Sequence, residues 1–342
     1  MKIRSKAPLR LGIAGGGTDV SPYSDEFGGC VLNATINMFA YAFIDDEVNS
    51  NEVIFEAKDL GVEERLSLDE SIPLEGKLLL HRAVYKRVME QFNNGVYIPV
   101  KLTTQSDAPP GSGLGSSSTM VVAMLEGFRQ LLSLPLGEYD LAHLAYKIER
   151  EDCKLSGGKQ DQYAATFGGF NFIEFYQNDR VVVNPLRIRN FIVNELEASL
   201  ILYFTGTSRE SAKIIDDQKN ALKQKDGINL DAMHRVKESS YKIKELLFKA
   251  DISGLAKEFK SAWESKKATS NSITNALIND IEADILKAGA MSMKISGAGG
   301  GGFMMILVEP EKKFDVLSTL KKYNGSAHKF QFTNDGVYSW TI

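Results

Sequence analysis

Cysteine and histidine are scarce in this chain. Its 342 residues hold two cysteines, Cys30 and Cys153, and four histidines, His81, His143, His234 and His328. Two distant cysteines make no disulfide framework, and no pair of histidines has metal-ligand spacing, which suits a reducing compartment. Charge of one sign is not in excess either. The 40 Lys+Arg residues against 44 Asp+Glu leave a net charge of −4, so the balance points to neither nucleic acid nor an anionic membrane. Long apolar runs are missing. The longest, Ile36 to Ile44, is roughly half of what a bilayer-spanning helix needs. Met1-Lys2-Ile3-Arg4 leads into Pro8 and glycines without the apolar centre of an export signal. These absences predict a cytoplasmic protein whose partners are small molecules. With 43% hydrophobic and 25% charged residues, the chain has core material for one large domain or two ordinary ones.

Glycine is what the sequence has, and in three places. Of 29 glycines, 12 fall in short windows: Gly12 with Gly15 to Gly17, then Gly111, Gly113 and Gly115, then Gly297 with Gly299 to Gly302. Clustered glycine costs backbone entropy on folding, so it marks main chain held in unusual dihedrals or close to something. Tight turns explain one such cluster; three, each beside a strand or helix signal, point toward a ligand.

The middle window is the most informative. Val96 to Thr104 alternates as a strand does, and Gln105 to Pro110 breaks it. Gly111-Ser112-Gly113-Leu114-Gly115-Ser116-Ser117-Ser118-Thr119 then opens a segment with Val121, Leu125, Phe128 and Leu132 at helical spacing. Strand, glycine–serine loop and helix N-terminus together form an anion cradle, because free N–H groups and the positive end of the helix dipole face the loop. Serine hydroxyls there can donate to phosphate or ligate Mg²⁺. The P-loop form is excluded, since no lysine follows Gly115. The dinucleotide form G-x-G-x-x-G is excluded as well, by Ser116 when counted from Gly113 and by Leu114 when counted from Gly111. That argues against a dinucleotide-dependent oxidoreductase.

The third window joins two strand-like segments, Met291 to Ile295 and Phe303 to Val308. It either completes a nucleotide site from the opposite side or serves as a connector, although a connector rarely needs four consecutive glycines. In the first window Arg10 interrupts an apolar strand, where a charge is rarely buried without a partner. Asp19 follows the glycines and reads either as a ligand for a sugar hydroxyl or as a cap; alone, the cap is the better reading.

Together these windows resemble the GHMP kinase superfamily. Its signature P-x-x-x-G-L-G-S-S is present as Pro109-Pro110-Gly111-Ser112-Gly113-Leu114-Gly115-Ser116-Ser117. Lys294 to Phe303 is similar to its C-terminal glycine motif and Pro8 to Asp19 to its N-terminal one. Within the superfamily, Ala7–Asp19, Gly158–Gly169 and Phe204–Arg209 resemble the heptose 7-phosphate kinase branch, and fucokinase-like sugar 1-kinases share part of the pattern. The resemblance implies an α+β fold of two domains, a ribosomal-S5-like N-terminal domain (1–190) and a ferredoxin-like C-terminal domain (191–342), with the site between them. In the second domain the sequence offers a strand at Ser199–Phe204, helices to about Gly289, two strands, a helix at Glu311–Tyr323 and a terminal hairpin around Asn334-Asp335-Gly336. The implied activity is ATP-dependent, Mg²⁺-assisted phosphorylation of a sugar phosphate at its anomeric hydroxyl. The alternatives are another sugar 1-kinase, or a sugar or nucleotide sensor that has lost its chemistry.

The resemblance also distributes roles. Asp161 is the implied catalytic aspartate, with Arg10 as the cation that keeps it ionised. Pro110, Gly111, Ser112, Gly113, Leu114, Gly115, Ser116, Ser117 and Ser118 hold the nucleotide, assisted by Gly299 and Gly300. Ser118 and Glu149, with Glu151 in reserve, ligate the metal. Gly17, Thr18 and Asp19 recognise the sugar. Lys159, Ser208 and Arg209 are expected at a phosphate already on the substrate, the last two combining a guanidinium fork with a helix start.

Overall fold

A computed structural model of the chain describes residues 1–48, 51–207, 214–217 and 227–342. Two sheets organise it. The first has eight strands: β1 (Lys2–Ala14), β2 (Gly29–Asp45), β3 (Glu52–Ala57), β4 (Val62–Ser67), β5 (Lys101–Ser106), β6 (Phe170–Phe175), β7 (Val181–Pro185) and β12 (Tyr338–Thr341). Its order is β12-β1-β2-β5-β3-β4, with β6 and β7 branching from β2. The 17-residue β2 makes the branch possible: its first part, 29–34, pairs with β6, and its last, 40–45, pairs with β5. Burial along β2 follows the same division. The last part alternates buried and half-buried, as a strand covered on one face must, whereas the first part is buried throughout.

The covering elements explain the difference. Helices α2 (Leu79–Phe92), α3 (Ser116–Leu131) and α4 (Glu138–Lys147) pack on one face of the first sheet around Phe55, Tyr85, Val121, Leu125 and Phe128. The second sheet has four strands: β8 (Leu200–Phe204), β9 (Ala290–Ile295), β10 (Phe303–Val308) and β11 (Ser326–His328), in the order β11-β8-β10-β9 with every pair antiparallel. That order is the ferredoxin-like arrangement. Helices α7 (Gly227–Phe248) and α8 (Ile252–Lys267) fill the space between the sheets. Leu9, Leu11, Leu32 and Ala34 share one core with Ile243, Phe259, Leu202 and Phe303. Further helices are α1 (Tyr23–Phe27), α5 (Gln160–Phe167), α6 (Asn190–Ser199), α9 (Ala276–Lys287) and α10 (Lys313–Leu320).

Two expectations need correction. The strand expected at Val96–Thr104 begins only at Lys101 and runs to Ser106, because residues 96–99 make no ladder. Asn334–Gly336 does not close a hairpin: β11 pairs with β8 in the second sheet and β12 with β1 in the first. The last strand therefore crosses back to the first sheet. Among the described residues no helix is long and apolar enough to cross a membrane.

Candidate active site

The three glycine windows meet at one cavity of about 640 Å³, within the range of small-molecule sites. Pro110, Gly111, Gly113, Gly115 and Ser116 to Ser118 form one wall, and Gly17, Asp19 and Val20 a second. Gly297 and Ala298 close a third side. Arg10, Glu149 and Asp161 also face it.

Arg10 is placed by its own strand. Pro8 has no N–H for the ladder, and the β1–β2 register slips between Pro8↔Phe39 and Arg10↔Thr35. Such a bulge re-aims a side chain. The Arg10 amide donates instead to the Leu114 carbonyl at 3.1 Å. The guanidinium, only 3% exposed, gives Nε and Nη2 to Asp161 Oδ1 at 2.7 and 2.6 Å. Its Nη1 donates to the Gly113 carbonyl at 2.7 Å and to Ser296 Oγ at 3.3 Å. One side chain thus ties together the carboxylate, the middle glycine loop and the third window.

The loops touch main chain to main chain. Gly113 has φ 82°, and a Cβ there would lie 2.5 Å from the Ser296 carbonyl oxygen. A Cβ at Gly297 would lie 2.8 Å from the Gly113 carbonyl oxygen. Phe303 N–H donates to the Ser112 carbonyl at 2.8 Å, and Gly12 N–H to Ser296 Oγ at 3.2 Å. Gly115, at φ 77°, caps α3, and a Cβ on it would stand 3.0 Å from Asp161 Cγ. The carboxylate therefore sits against the helix start where an anion is favoured.

Asp161 lies in the first turn of α5, and Asp19 holds that turn. Asp19 Oδ2 accepts from the Lys159 and Gln160 amides at 3.0 and 3.1 Å, and Oδ1 from Gln160 Nε2 and Gly17 N–H at 3.1 and 3.2 Å. Four accepted hydrogen bonds use a carboxylate's capacity. This carboxylate, which lines the cavity, thus also holds the start of a helix about 140 residues away. Its neighbour Thr18 does not line the cavity. It is fully buried, and its hydroxyl donates to the Gly15 carbonyl while accepting from Cys30 N–H.

Glu149 and Glu151 separate at the end of α4, where the chain widens into a π-type turn, Ile148–Asp152, closed by Cys153 N–H on the Ile148 carbonyl at 2.9 Å. Such turns often mark functional sites. Glu149 points inward and is 2% exposed, whereas Glu151 faces solvent beside Arg87 at 3.8 Å. Gln162 Nε2 bridges Glu149 Oε2 and Ser118 Oγ, the latter at 3.1 Å. Burial pushes the Glu149 carboxyl up; Arg150 and hydrogen bonds from Ser118 and Gln162 oppose it. Among the described residues no three His, Cys, Asp or Glu side chains converge on a metal position. A serine oxygen beside one buried carboxylate still fits Mg²⁺, which takes one or two protein ligands plus phosphate oxygens and water.

Other expected residues do not reach the cavity with their side chains. Leu114 packs in the core between the sheets. Ser112 is fully buried, with its hydroxyl unpartnered. Gly299 and Gly300 turn away toward Ile273, whose carbonyl accepts from Gly300 N–H at 2.7 Å; Gly297 and Ala298 take their place. Lys159 commits Nζ to Asp179 at 2.6 Å and lies over the Tyr146 ring. Ser208 and Arg209 lie outside the described residues.

The sequence reading missed Lys266, Arg150 and Gln160, all of which line the cavity. Arg150 donates to the Leu155 and Gly158 carbonyls at 3.1 Å each and so shapes the approach to Asp161. Lys266, in the last turn of α8, has the pattern of a cation complementing a helix dipole, which hides any other role.

A helix start walled by glycine amides, facing an ion-paired carboxylate, defines a phosphotransferase site. Comparison with known proteins agrees. Residues 79–169 match the model for the GHMP kinases N terminal domain. The chain is 46% identical over 340 residues to the D-glycero-alpha-D-manno-heptose 7-phosphate kinase of Campylobacter jejuni, covering 99% of each chain. Its structure is similar to a D-glycero-D-manno-heptose 1-phosphate kinase from Bacteroides thetaiotaomicron (TM-score 0.84, 44% identity, 99% of each chain). It also resembles a putative sugar kinase from Campylobacter jejuni (TM-score 0.81, 42% identity, 100% of this chain and 98% of that one). The chain belongs to the GHMP kinase family and is an ATP-dependent sugar kinase.

Proposed function

We propose that the protein transfers the terminal phosphoryl group of ATP to the anomeric hydroxyl of D-glycero-D-manno-heptose 7-phosphate, giving the 1,7-bisphosphate. The observation that carries the chemistry is the Arg10–Asp161 pair at the mouth of the 111–118 loop. The substrate is suggested by the 46% identity to a heptose 7-phosphate kinase.

In this reading the amides of Gly111 to Ser118 and the start of α3 hold the triphosphate. Both Arg10 contacts fall on Asp161 Oδ1, which leaves Oδ2 to accept a hydrogen bond from the acceptor hydroxyl and orient it for in-line attack. Arg10 keeps its proton, so it holds charge rather than shuttling it. Asp19 fixes the direction of Asp161 by capping α5. Ser118 and Glu149 would hold Mg²⁺, whose charge neutralises phosphate oxygens when bound.

An ADP-release assay with Mg²⁺–ATP tests the reading against heptose 7-phosphate, fucose, galactose and mevalonate. Heptose 7-phosphate should give the highest kcat/KM, with ³¹P NMR placing the new phosphorus on the anomeric oxygen. Preference for another acceptor, or phosphorylation elsewhere on the sugar, overturns it.

A further inference from the structure

We infer that Lys266 is the cation that receives the phosphate already present on the acceptor sugar; this rests on the substrate reading above. Lys266 ends α8 inside the cavity wall and is 5% exposed. Its Nζ donates to the Gly297 carbonyl. It also lies 3.6 Å from the place a Cβ would take on Gly16, beside Gln160 Nε2 at 3.8 Å from the same point. Among the described residues no carboxylate stands within ion-pair reach of it. A buried ammonium without a counter-ion is costly, and the cost is recovered when an anion arrives.

The charges around Lys266 are already committed to other partners. From β1, Arg10 faces it and is already paired with Asp161. From β9 comes Lys294, whose Nζ is committed to the Gly12 and Ile13 carbonyls at 2.9 and 2.8 Å. From the first glycine window comes Asp19, whose oxygens are filled by amide donors. Two cations and one saturated carboxylate thus surround a third cation. Burial and Arg10 hold Lys266 down to about 8, the direction expected of an ammonium waiting for an anion.

Position selects which anion. The triphosphate cradle lies at Gly111–Ser118, whereas Lys266 lies by Gly16, Gln160 and Gly297, on the side of the cavity that Gly17 and Asp19 line. A phosphate there meets the ammonium directly, and the Gly16 and Gly17 backbone gives it room.

The test compares wild type, Lys266→Met and Lys266→Arg on heptose 7-phosphate and on the same heptose without phosphate. Wild type should prefer the phosphorylated sugar. Lys266→Met should lose about 10- to 100-fold in kcat/KM on the phosphorylated sugar, mainly through KM, and less than about threefold on the other. Lys266→Arg should recover part of that loss, and thermal melting of each variant checks folding. Equal losses on both sugars, or an unchanged preference in Lys266→Met, overturn the inference while leaving the substrate reading intact. A wild type indifferent to the sugar's phosphate overturns the substrate reading and this inference with it.

Discussion

Asp19 Oδ2 accepts the backbone amides of Lys159 and Gln160 at 3.0 and 3.1 Å, so a carboxylate from the first glycine window starts the helix on which Asp161 rides. A Cβ on Gly158 would fall 1.9 Å from that same oxygen, which is why the preceding residue carries no side chain. Asp19→Asn turns one accepting oxygen into a donor that faces amide donors and should cost about 1–3 kcal/mol of stability. Turnover should fall more than ATP affinity, because Asp161 loses its aim rather than its charge. Steady-state kinetics beside nucleotide titration would separate the two; an equal fall in both contradicts the positioning role.

Asp161→Asn keeps the shape of the site and removes the acceptor for the hydroxyl proton. Turnover should drop about 10²- to 10⁴-fold, while ATP still raises the melting temperature. Near-normal turnover in this variant would place the chemistry elsewhere and favour a sensor.

Gly113→Ala forces a side chain onto φ 82° and against the Ser296 carbonyl. The left-handed backbone alone costs about 1–2 kcal/mol, and the clash adds to it. Calorimetry should show a lower melting temperature together with weakened ATP binding. A variant with wild-type ATP affinity would show that the loop does not hold the nucleotide.

Glu149→Gln leaves a side chain of the same size beside Ser118 and Gln162 but takes away the anionic oxygen. The Mg²⁺ concentration for half-maximal turnover should rise at least about tenfold, with binding of metal-free ATP unchanged. Magnesium titration of initial rates measures it, and no shift would remove Glu149 from the ligand set.

Lys266 gives the fold a pH signature. Its ordinary value of 10.5 is lowered to about 8 in the folded protein, so the charged form penalises folding fully below about pH 8. The penalty is relieved from there toward 10.5, where the unfolded chain binds more protons than the folded one. Lys266→Met, which lacks the penalty, should melt higher than wild type at pH 7, and the gap should close as pH rises to 9.5. A gap independent of pH would mean that Lys266 keeps its proton throughout.

What could be read from the chain in advance was local. The glycine windows announce themselves because a positive φ at Gly113 or Gly115 is a demand on that residue alone. The helix after the middle window follows from the spacing of Val121, Leu125 and Phe128, all buried. Non-local facts were not legible. Nothing near Asp19 says that its partners are at 159 and 160, and nothing near Tyr338 says that this strand returns to β1. Glu149 and Glu151 look alike in sequence, and only the wide turn after α4 sends one inward. Lys266 was invisible because a lysine closing a helix is ordinary, and burial is a property of what packs around it.

The contact between Ser112 and Phe303, with Gly113 and Gly297 back to back, has a thermodynamic consequence. The nucleotide cradle is stitched to both halves of the molecule at once, so neither half can melt while the cradle survives. Calorimetric unfolding should then be a single cooperative event, with ATP raising its midpoint for the whole chain rather than for the part that binds it. Loosening the packing of α8 against β9 should surface as poorer nucleotide affinity, even though neither element belongs to the 111–118 cradle.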